Sequence, residues 1–181
     1  MKSPTIVINA YNRPHSIRRL LFSLKLADIT SETDLVFSLE FESHPEVLAE
    51  VKKFEWDYGR KEIIQQEKKL GVVGHFMFCG NLTKKLGDII YLEDDLFVSK
   101  SFYKYSQLAL KQYAEENSLA GFSLNALWFN GYLHLPFDPI DDGNACFFLQ
   151  VPWFQVKYIR QSNGAILKIG IIKEPVLTTI Y

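Results

Sequence analysis

Short, mostly apolar runs rich in β-branched residues alternate along this chain with segments whose apolar residues recur every three or four positions. The runs predict buried strands of a parallel sheet, and the recurring apolar positions predict amphipathic helices. The predicted strands span residues 5–10, 34–39, 61–66, 89–92 and 119–124. The predicted helices begin near residues 14, 44, 75 and 99, with the last two ending near 85 and 117. This alternation is typical of an α/β domain with a mainly parallel sheet flanked by helices.

The pattern changes near residue 152. Residues 153–181 contain many isoleucines without a clean period, and the segment at residues 169–172 fits none of the elements expected upstream. We therefore expect one domain over residues 1–152, a length that can bury a single core. An atypical and poorly packed tail is expected over residues 153–181.

The composition is that of an ordinary globular protein. The 181 residues carry a formal net charge of −1, so no overall basic field favours nucleic acid as a partner. No apolar stretch is long enough to predict a transmembrane segment, and the N-terminus does not resemble a signal peptide. The two cysteines, Cys79 and Cys146, lack a C-x-x-C spacing, which favours reduced thiols in a cytoplasmic protein.

Three consecutive carboxylates, Glu93, Asp94 and Asp95, follow the strand predicted at residues 89–92. In open α/β proteins the carboxyl ends of the strands form the edge at which ligands bind. Adjacent carboxylates repel one another, and a shared divalent cation removes that repulsion. Mg²⁺ or Mn²⁺ held there would keep coordination positions for substrate phosphates. A solvated acidic turn is the alternative interpretation of the same residues.

Further candidate ligands follow the first two strands. The turn from Ala10 and Tyr11 to Arg13 offers backbone groups and a ring to a flat base, and a guanidinium to a phosphate. Taken alone, Arg13 is better explained as a surface arginine. Glu40, at the end of the second strand, would share the same edge and could accept hydrogen bonds from a base or ribose. Glu42, two positions further along the chain, is expected to be solvated.

Three weaker signals lie elsewhere. Gly71-x-x-Gly74 before a helix resembles a loose anion site, because free N–H groups at a helix N-terminus favour phosphate. His75, in the first turn of that helix, is by itself more often a structural or capping residue. Trp128 could stack on a sugar face or belong to the core. Asp141 and Asp142 belong to a sequence that is typical of a turn, which is their preferred interpretation. The second interpretation is that they are acids on the acceptor side of a site.

Taken together, these positions resemble a nucleotide-diphospho-sugar glycosyltransferase of the GT-A fold over about residues 5–150. The resemblance is closest to bacterial family-2-like enzymes and to the N-acetylglucosaminyltransferase that initiates N-glycan branching. The metal motif of that group is Glu-Asp-Asp, then Leu-x-Val, a Phe segment and a helix. Here the motif reads Glu93-Asp94-Asp95-Leu96-Phe97-Val98-Ser99-Lys100-Ser101-Phe102. The resemblance implies a metal-dependent enzyme that transfers a sugar, with UDP as the expected nucleotide, to an unknown glycan, lipid or protein acceptor.

The same resemblance assigns roles to residues of this chain. Asp95 resembles the direct metal ligand, Asp94 the partner of the ribose or a metal-bound water, and Glu93 a supporting carboxylate. Arg13 matches an arginine near the pyrophosphate, and His75 a histidine that contacts the nucleotide. Because the acceptor half is not recognisable, no catalytic base is assigned.

The resemblance is incomplete at two places. Glu40 takes the place of an aspartate that reads uracil, and its longer side chain leaves the base open. Ser123 and Trp128 resemble the segment leading toward the acceptor pocket, but beyond about Phe148 the family's Ser-Trp-Gly-type segment and aromatic helix are missing. A shifted reading frame would permit similar strings in the tail. We therefore hypothesise that the tail is out of frame and the GT-A-like domain truncated, which leaves the activity of this chain open.

Two further classes of protein are compatible with parts of the pattern. A nucleotide-sugar-binding remnant without transfer activity is the main alternative, since the acceptor half is not recognisable. A receiver-type phosphorylation domain would need paired acids after the first strand, and a GT-A-like nucleotidyltransferase would need a glycine-rich loop there. The sequence between Asn9 and Arg13 has neither feature.

Overall fold

A computed structural model describes residues 3–30 and 32–114 and, beyond them, the backbone of three short strands. The helices and strands follow one another in this order: β1 (Thr5–Ala10), α1 (Pro14–Lys25), β2 (Leu35–Leu39), α2 (Pro45–Lys53), β3 (Lys61–Gln65), α3 (Gly71–Asn81), α4 (Thr83–Leu86), β4 (Ile89–Glu93), α5 (Phe102–Gln112), β5 (Gly121–Ser123), β6 (Phe154–Gln155) and β7 (Ile169–Ile172). The alternation of strands and helices predicted from the hydrophobic pattern is thus present.

The strands form one sheet in the order β3-β2-β1-β4-β7-β5-β6. The first four strands in this order are parallel to one another, with Ala10 beside Leu39 and Asn9 beside Glu93. The predicted parallel sheet is therefore confirmed over these four strands. Because parallel strands end on the same side, the residues that follow β1, β2 and β4 share one edge of the sheet.

The expectation that residues 169–172 fit no element of the fold was wrong. Their backbone forms β7, which is antiparallel to β4 on one side and to β5 on the other, with Ile169 beside Leu92. A run of four residues is too short to show a period, but its isoleucines favour a strand. Apart from β6 and β7, residues 153–181 lie outside the described part of the chain.

The helix predicted over residues 75–85 is two helices. The first, α3, begins four residues earlier at Gly71 and ends at Asn81, and α4 follows after Leu82. Gly87 ends α4 with a φ of +84°, a positive value that glycine adopts more easily than other residues. The sequence Gly71-x-x-Gly74 is therefore the first turn of α3 rather than a loop before it.

The sheet separates two groups of buried apolar side chains. Ile6 and Ile8 belong to the group packed with α1, α2 and α5, whereas Val7 and Tyr91 belong to the group packed with α3 and α4. This alternation is expected of strands that are buried on both faces. Complete burial of one such apolar side chain contributes about 1.5–3 kcal/mol. The central strands thus form a rigid base for the residues at their ends.

Two further expectations concern the thiols and the membrane. Cys79 is a free thiol buried in α3, in agreement with the prediction, and burial raises its pKa to about 12. Cys146 lies outside the described residues. None of the helices within the described ranges is long and apolar enough to cross a membrane.

Candidate functional site

The ends of three parallel strands carry the candidate site. Because β1 lies between β2 and β4, the topology brings together Arg13 after β1, Glu40 after β2 and Asp95 after β4. These residues line a cavity of about 580 Å³, a volume typical of small-molecule sites. The described residues that line the cavity are Asn9, Ala10, Tyr11, Asn12, Arg13, Glu40, Lys69, Gly71, Val72, His75, Glu93, Asp94 and Asp95. Every residue predicted from the sequence to bind the nucleotide sugar or the metal is in this set.

Arg13 bridges the two aspartates that follow β4. Its Nη1 lies 3.0 Å from Asp95 Oδ2 and 3.5 Å from Asp94 Oδ1. The side chain of Arg13 is 56% exposed, whereas those of Asp94 and Asp95 are 9% and 22% exposed. The guanidinium therefore reduces the repulsion between two adjacent, largely buried carboxylates from the solvent side. The resemblance assigned Arg13 to a phosphate, and in this structure its partners are the carboxylates.

Two contacts with the first strand and helix hold the turn that carries these aspartates. The backbone N–H of Tyr11 donates to Asp94 Oδ2 at 3.3 Å. Arg19 on α1 donates from Nη2 to the backbone carbonyl of Asp95 at 2.9 Å. The turn after β4 is thus tied to the segment after β1 through a side chain and through the main chain.

Asp94 and Asp95 can hold a divalent cation whose remaining coordination positions are filled by water or by oxygen atoms of a ligand. Among the residues that the structure describes, no group of three or more His, Cys, Asp or Glu side chains is arranged to hold a metal. Mg²⁺ is usually bound by one or two carboxylates together with substrate phosphates rather than by a complete protein cage. Asp94 and Asp95 supply that smaller set of donors. A positive group, the Arg13 guanidinium, already lies between them.

Glu40 is buried at the end of β2, and its carboxylate contacts the start of α3. Oε1 accepts hydrogen bonds from the backbone N–H of Phe41 at 2.8 Å and of Leu70 at 3.0 Å. Burial by itself would raise the pKa of Glu40, but the hydrogen bonds from the N–H groups of Leu70 and Phe41 hold that pKa below its usual value. The anion at this helix N-terminus is therefore the carboxylate of Glu40.

His75 is buried on the side of α3 that faces β2. Its Nε2 lies 2.7 Å from Ser38 Oγ, and its Nδ1 lies 3.9 Å from Glu40 Oε2. Gln66 donates to the same Ser38 Oγ at 3.1 Å. Burial lowers the pKa of His75, although the carboxylate of Glu40 opposes this shift. The ring is consequently neutral at pH 7 and joins α3 to the sheet.

Of the two glycines in the first turn of α3, only one is required by the conformation of the backbone. Gly71 has a φ of +69°, in the left-handed region where other residues are strained. A side chain at Gly74 would meet only Leu70 Cβ at 3.4 Å, an ordinary van der Waals distance. The glycine at position 71 is therefore explained by the backbone turn next to Glu40.

The structure adds residues that the sequence pattern did not single out. Lys69 and Val72 line the cavity from the loop before α3 and from its first turn. Arg19 reaches the Asp95 carbonyl from six positions beyond Arg13, and no local motif indicates that contact. For Lys69, the one sequence feature that could have indicated this position is its place two residues before Gly71, which begins α3.

The acceptor-side candidates cannot be located in the same way. Trp128, Asp141 and Asp142 lie outside the described residues. Ser123 belongs to β5, of which only the backbone is described.

The fold is similar to several solved structures. One is a fragment of S. aureus TarS in complex with UDP-GlcNAc, at 17% identity and a TM-score of 0.54, covering 71% of this chain and 36% of that chain. A TarS complex with UDP gives 18% identity, a TM-score of 0.54, and 71% and 37% coverage. The mannosyltransferase PcManGT from Pyrobaculum calidifontis, in complex with GDP-Man and Mn²⁺, gives 14% identity, a TM-score of 0.53, and 68% and 35% coverage. No family model and no curated protein matches the sequence.

These similarities define the class of fold. The parallel strands β3-β2-β1-β4 with flanking helices match the TarS and mannosyltransferase structures, so the GT-A-like fold predicted from the resemblance is confirmed. The chain spans little more than a third of the length of these structures.

Proposed function

We propose that this chain forms the donor-binding domain of a metal-dependent glycosyltransferase that uses a nucleotide-diphospho-sugar. The observation that carries the proposal is the cavity at the carboxyl edge of the sheet, which combines Arg13 with the paired carboxylates of Asp94 and Asp95. In α/β proteins this edge is where nucleotides bind. Its mixture of acidic and basic groups suits a metal-bound diphosphate better than either an isolated anion or an isolated cation.

The proposed roles follow the positions of the side chains in the cavity. Asp95 is the direct ligand of Mn²⁺ or Mg²⁺, while Asp94 and Glu93 support the metal or the ribose. When bound, the metal would neutralise the diphosphate that departs as the glycosidic bond breaks. Arg13 and Lys69 supply positive charge for the same diphosphate from the walls of the cavity.

Recognition of the base is proposed for the residues around the turn after β1. Tyr11 is 37% exposed and lines the cavity, so its ring can stack on a flat base. The backbone of Ala10 lies beside it. Glu40 and His75 also line the cavity, but their polar atoms already contact Leu70, Phe41 and Ser38. We propose that these two act mainly by shaping the site.

UDP is the proposed nucleotide, and the acceptor is a glycan, lipid or protein. Two observations support a uridine donor: the resemblance of the metal motif, and the bound UDP and UDP-GlcNAc of the TarS structures. The bound GDP-Man and Mn²⁺ of PcManGT support a nucleotide sugar and a metal in general. A donor-binding protein without transfer activity is the second candidate, since the acceptor-side residues are not placed.

A panel of UDP- and GDP-sugars tests the proposal. Calorimetric titration of each donor, once with Mn²⁺ and once with EDTA, should give measurable affinity for a UDP-sugar with Mn²⁺ and much weaker affinity with EDTA. Equal binding under the two conditions, or no binding of any donor, would contradict the proposal. Release of UDP from the bound donor, with or without added acceptors, separates the transferase from the binding protein.

A further inference from the structure

Asp95 is contacted by two arginines that hold different atoms of it. Arg13 lies at the carboxylate, 3.0 Å from Oδ2, and Arg19 lies at the backbone carbonyl, at 2.9 Å. Both arginines are exposed, and both come from the segment that follows β1. One residue is therefore fixed from two directions by groups of the same charge.

The contact of Arg13 conflicts with the binding of a cation to the same carboxylate. A guanidinium and a divalent cation cannot both lie against Asp95 Oδ2 without strong repulsion. Because the Arg13 side chain is more than half exposed, it can swing away at small cost. A diphosphate arriving with the metal offers it a better partner, since arginine binds phosphate through two parallel hydrogen bonds.

The contact of Arg19 does not conflict with a cation. It involves the main chain of Asp95, so it can persist whether the carboxylate faces a guanidinium or a metal. The backbone N–H of Leu96 also closes the turn by donating to the carbonyl of Glu93 at 3.2 Å. Together these hydrogen bonds fix the direction in which the Asp95 side chain leaves the main chain.

We propose that Arg19 is a positioning residue for the metal-binding turn, and that Arg13 exchanges Asp95 for the donor diphosphate when a divalent cation enters. This inference rests on the proposed function and deepens it. It makes metal and nucleotide binding interdependent, because each ligand relieves a charge conflict that the other one creates.

Three nearby arginines allow a matched experiment. Binding of Mn²⁺ is measured by electron paramagnetic resonance, with and without UDP, for the wild type and for Arg13→Met, Arg19→Met and Arg18→Met. Arg18 is the control, because it is on α1 beside Arg19 but pairs with Glu46 and Glu50. Arg19→Lys restores a donor at that position, and melting temperatures confirm that each variant is folded.

The three methionine variants should differ in the direction as well as in the size of their changes in ligand affinity. Arg13→Met should bind Mn²⁺ alone about two- to fivefold more tightly, since an exposed competing ion pair is lost. With Mn²⁺ present it should bind UDP at least about tenfold more weakly. Arg19→Met should weaken Mn²⁺ binding about three- to tenfold both with and without UDP, with partial recovery in Arg19→Lys. Arg18→Met should leave these affinities unchanged.

The proposed function and the proposed roles of Arg13 and Arg19 would be contradicted by different results. A wild-type protein that binds neither Mn²⁺ nor UDP overturns the proposed function, and the exchange of Arg13 with it. If the wild type binds both ligands, weaker binding of Mn²⁺ alone to Arg13→Met overturns the exchange. Unchanged Mn²⁺ affinity in a folded Arg19→Met variant overturns the positioning role.

Discussion

The carboxylate of Glu40 lies at the N-terminus of α3, where Oε1 accepts a 3.0 Å hydrogen bond from the backbone N–H of Leu70. This contact joins the end of β2 to the helix that forms one wall of the cavity. His75, one turn further along α3, is hydrogen-bonded to Ser38 of the same strand. The wall is therefore held to the sheet by polar contacts as well as by apolar packing.

Replacement of Glu40 by glutamine should destabilise the domain without changing which base is preferred. The neutral amide keeps one oxygen acceptor but loses the charge that favours a helix N-terminus, so we expect a loss of about 1–2 kcal/mol. UDP and GDP affinities should fall together, as measured by calorimetry beside urea denaturation. Glu42→Gln, at an exposed position two residues away, is the control. A loss of UDP affinity alone, at unchanged stability, would instead make Glu40 a reader of the base.

Alanine at the two glycines of α3 should have opposite effects on stability. Gly71→Ala forces a side chain into a backbone with φ of +69° and should cost about 1–3 kcal/mol. Gly74→Ala, at the fourth residue of the helix, should stabilise by about 0.5–1 kcal/mol, because alanine loses less conformational entropy. Thermal unfolding of the two variants measures the difference. Equal and small effects would mean that the turn at Gly71 tolerates an ordinary residue.

The strands β1, β2 and β4 were predictable because each is a short, mostly apolar run that is buried on both faces of the sheet. β1, for example, was predicted over residues 5–10, and the structure has Thr5–Ala10. The gathering of Arg13, Glu40 and Asp95 was predictable as well, because it depends only on parallel strands ending at one edge. These features follow from local pattern and general topology.

The features that escaped prediction depend on contacts between distant residues. The start of α3 was placed four residues late, because its first turn depends on Glu40, 30 positions before Leu70. Arg19 holds the carbonyl of a residue 76 positions away, and no periodicity encodes that distance. β7 was missed because its pairing with β4 joins segments that are far apart in the chain.

Stability should fall as the pH is lowered below 7, and His75 should account for the first part of the loss. Burial depresses the pKa of His75 below its ordinary value of 6.5, so protonation favours the unfolded chain. The stabilisation from the neutral ring is fully present above 6.5 and is lost as the pH falls through the folded-state pKa. His75→Gln should flatten the urea midpoint between pH 7 and 5.

Glu40 should add a second loss at lower pH. Its pKa is depressed below the ordinary 4.5, so its contribution is present above 4.5 and disappears as the pH falls through the folded-state value. Glu40→Gln should remove this second step and retain the first one. A wild-type midpoint that does not change between pH 7 and 5 would contradict the assignment of a neutral, buried His75.

Substitution of Asp95 by asparagine should remove the effect of the metal on nucleotide binding. In the wild type we expect UDP to bind weakly in EDTA, because the carboxylates of Asp94 and Asp95 repel the diphosphate, and more tightly with Mn²⁺. The variant keeps the size of the side chain but loses one charged oxygen ligand, so Mn²⁺ should no longer increase its affinity for UDP. Its affinity in EDTA should be at least that of the wild type, since repulsion is reduced and Arg13 is less firmly held by its carboxylate partner. Calorimetry under the two conditions, with Glu42→Gln as the charge-matched control, provides the measurement. A variant that retains the Mn²⁺ effect would show that the metal is bound without Asp95.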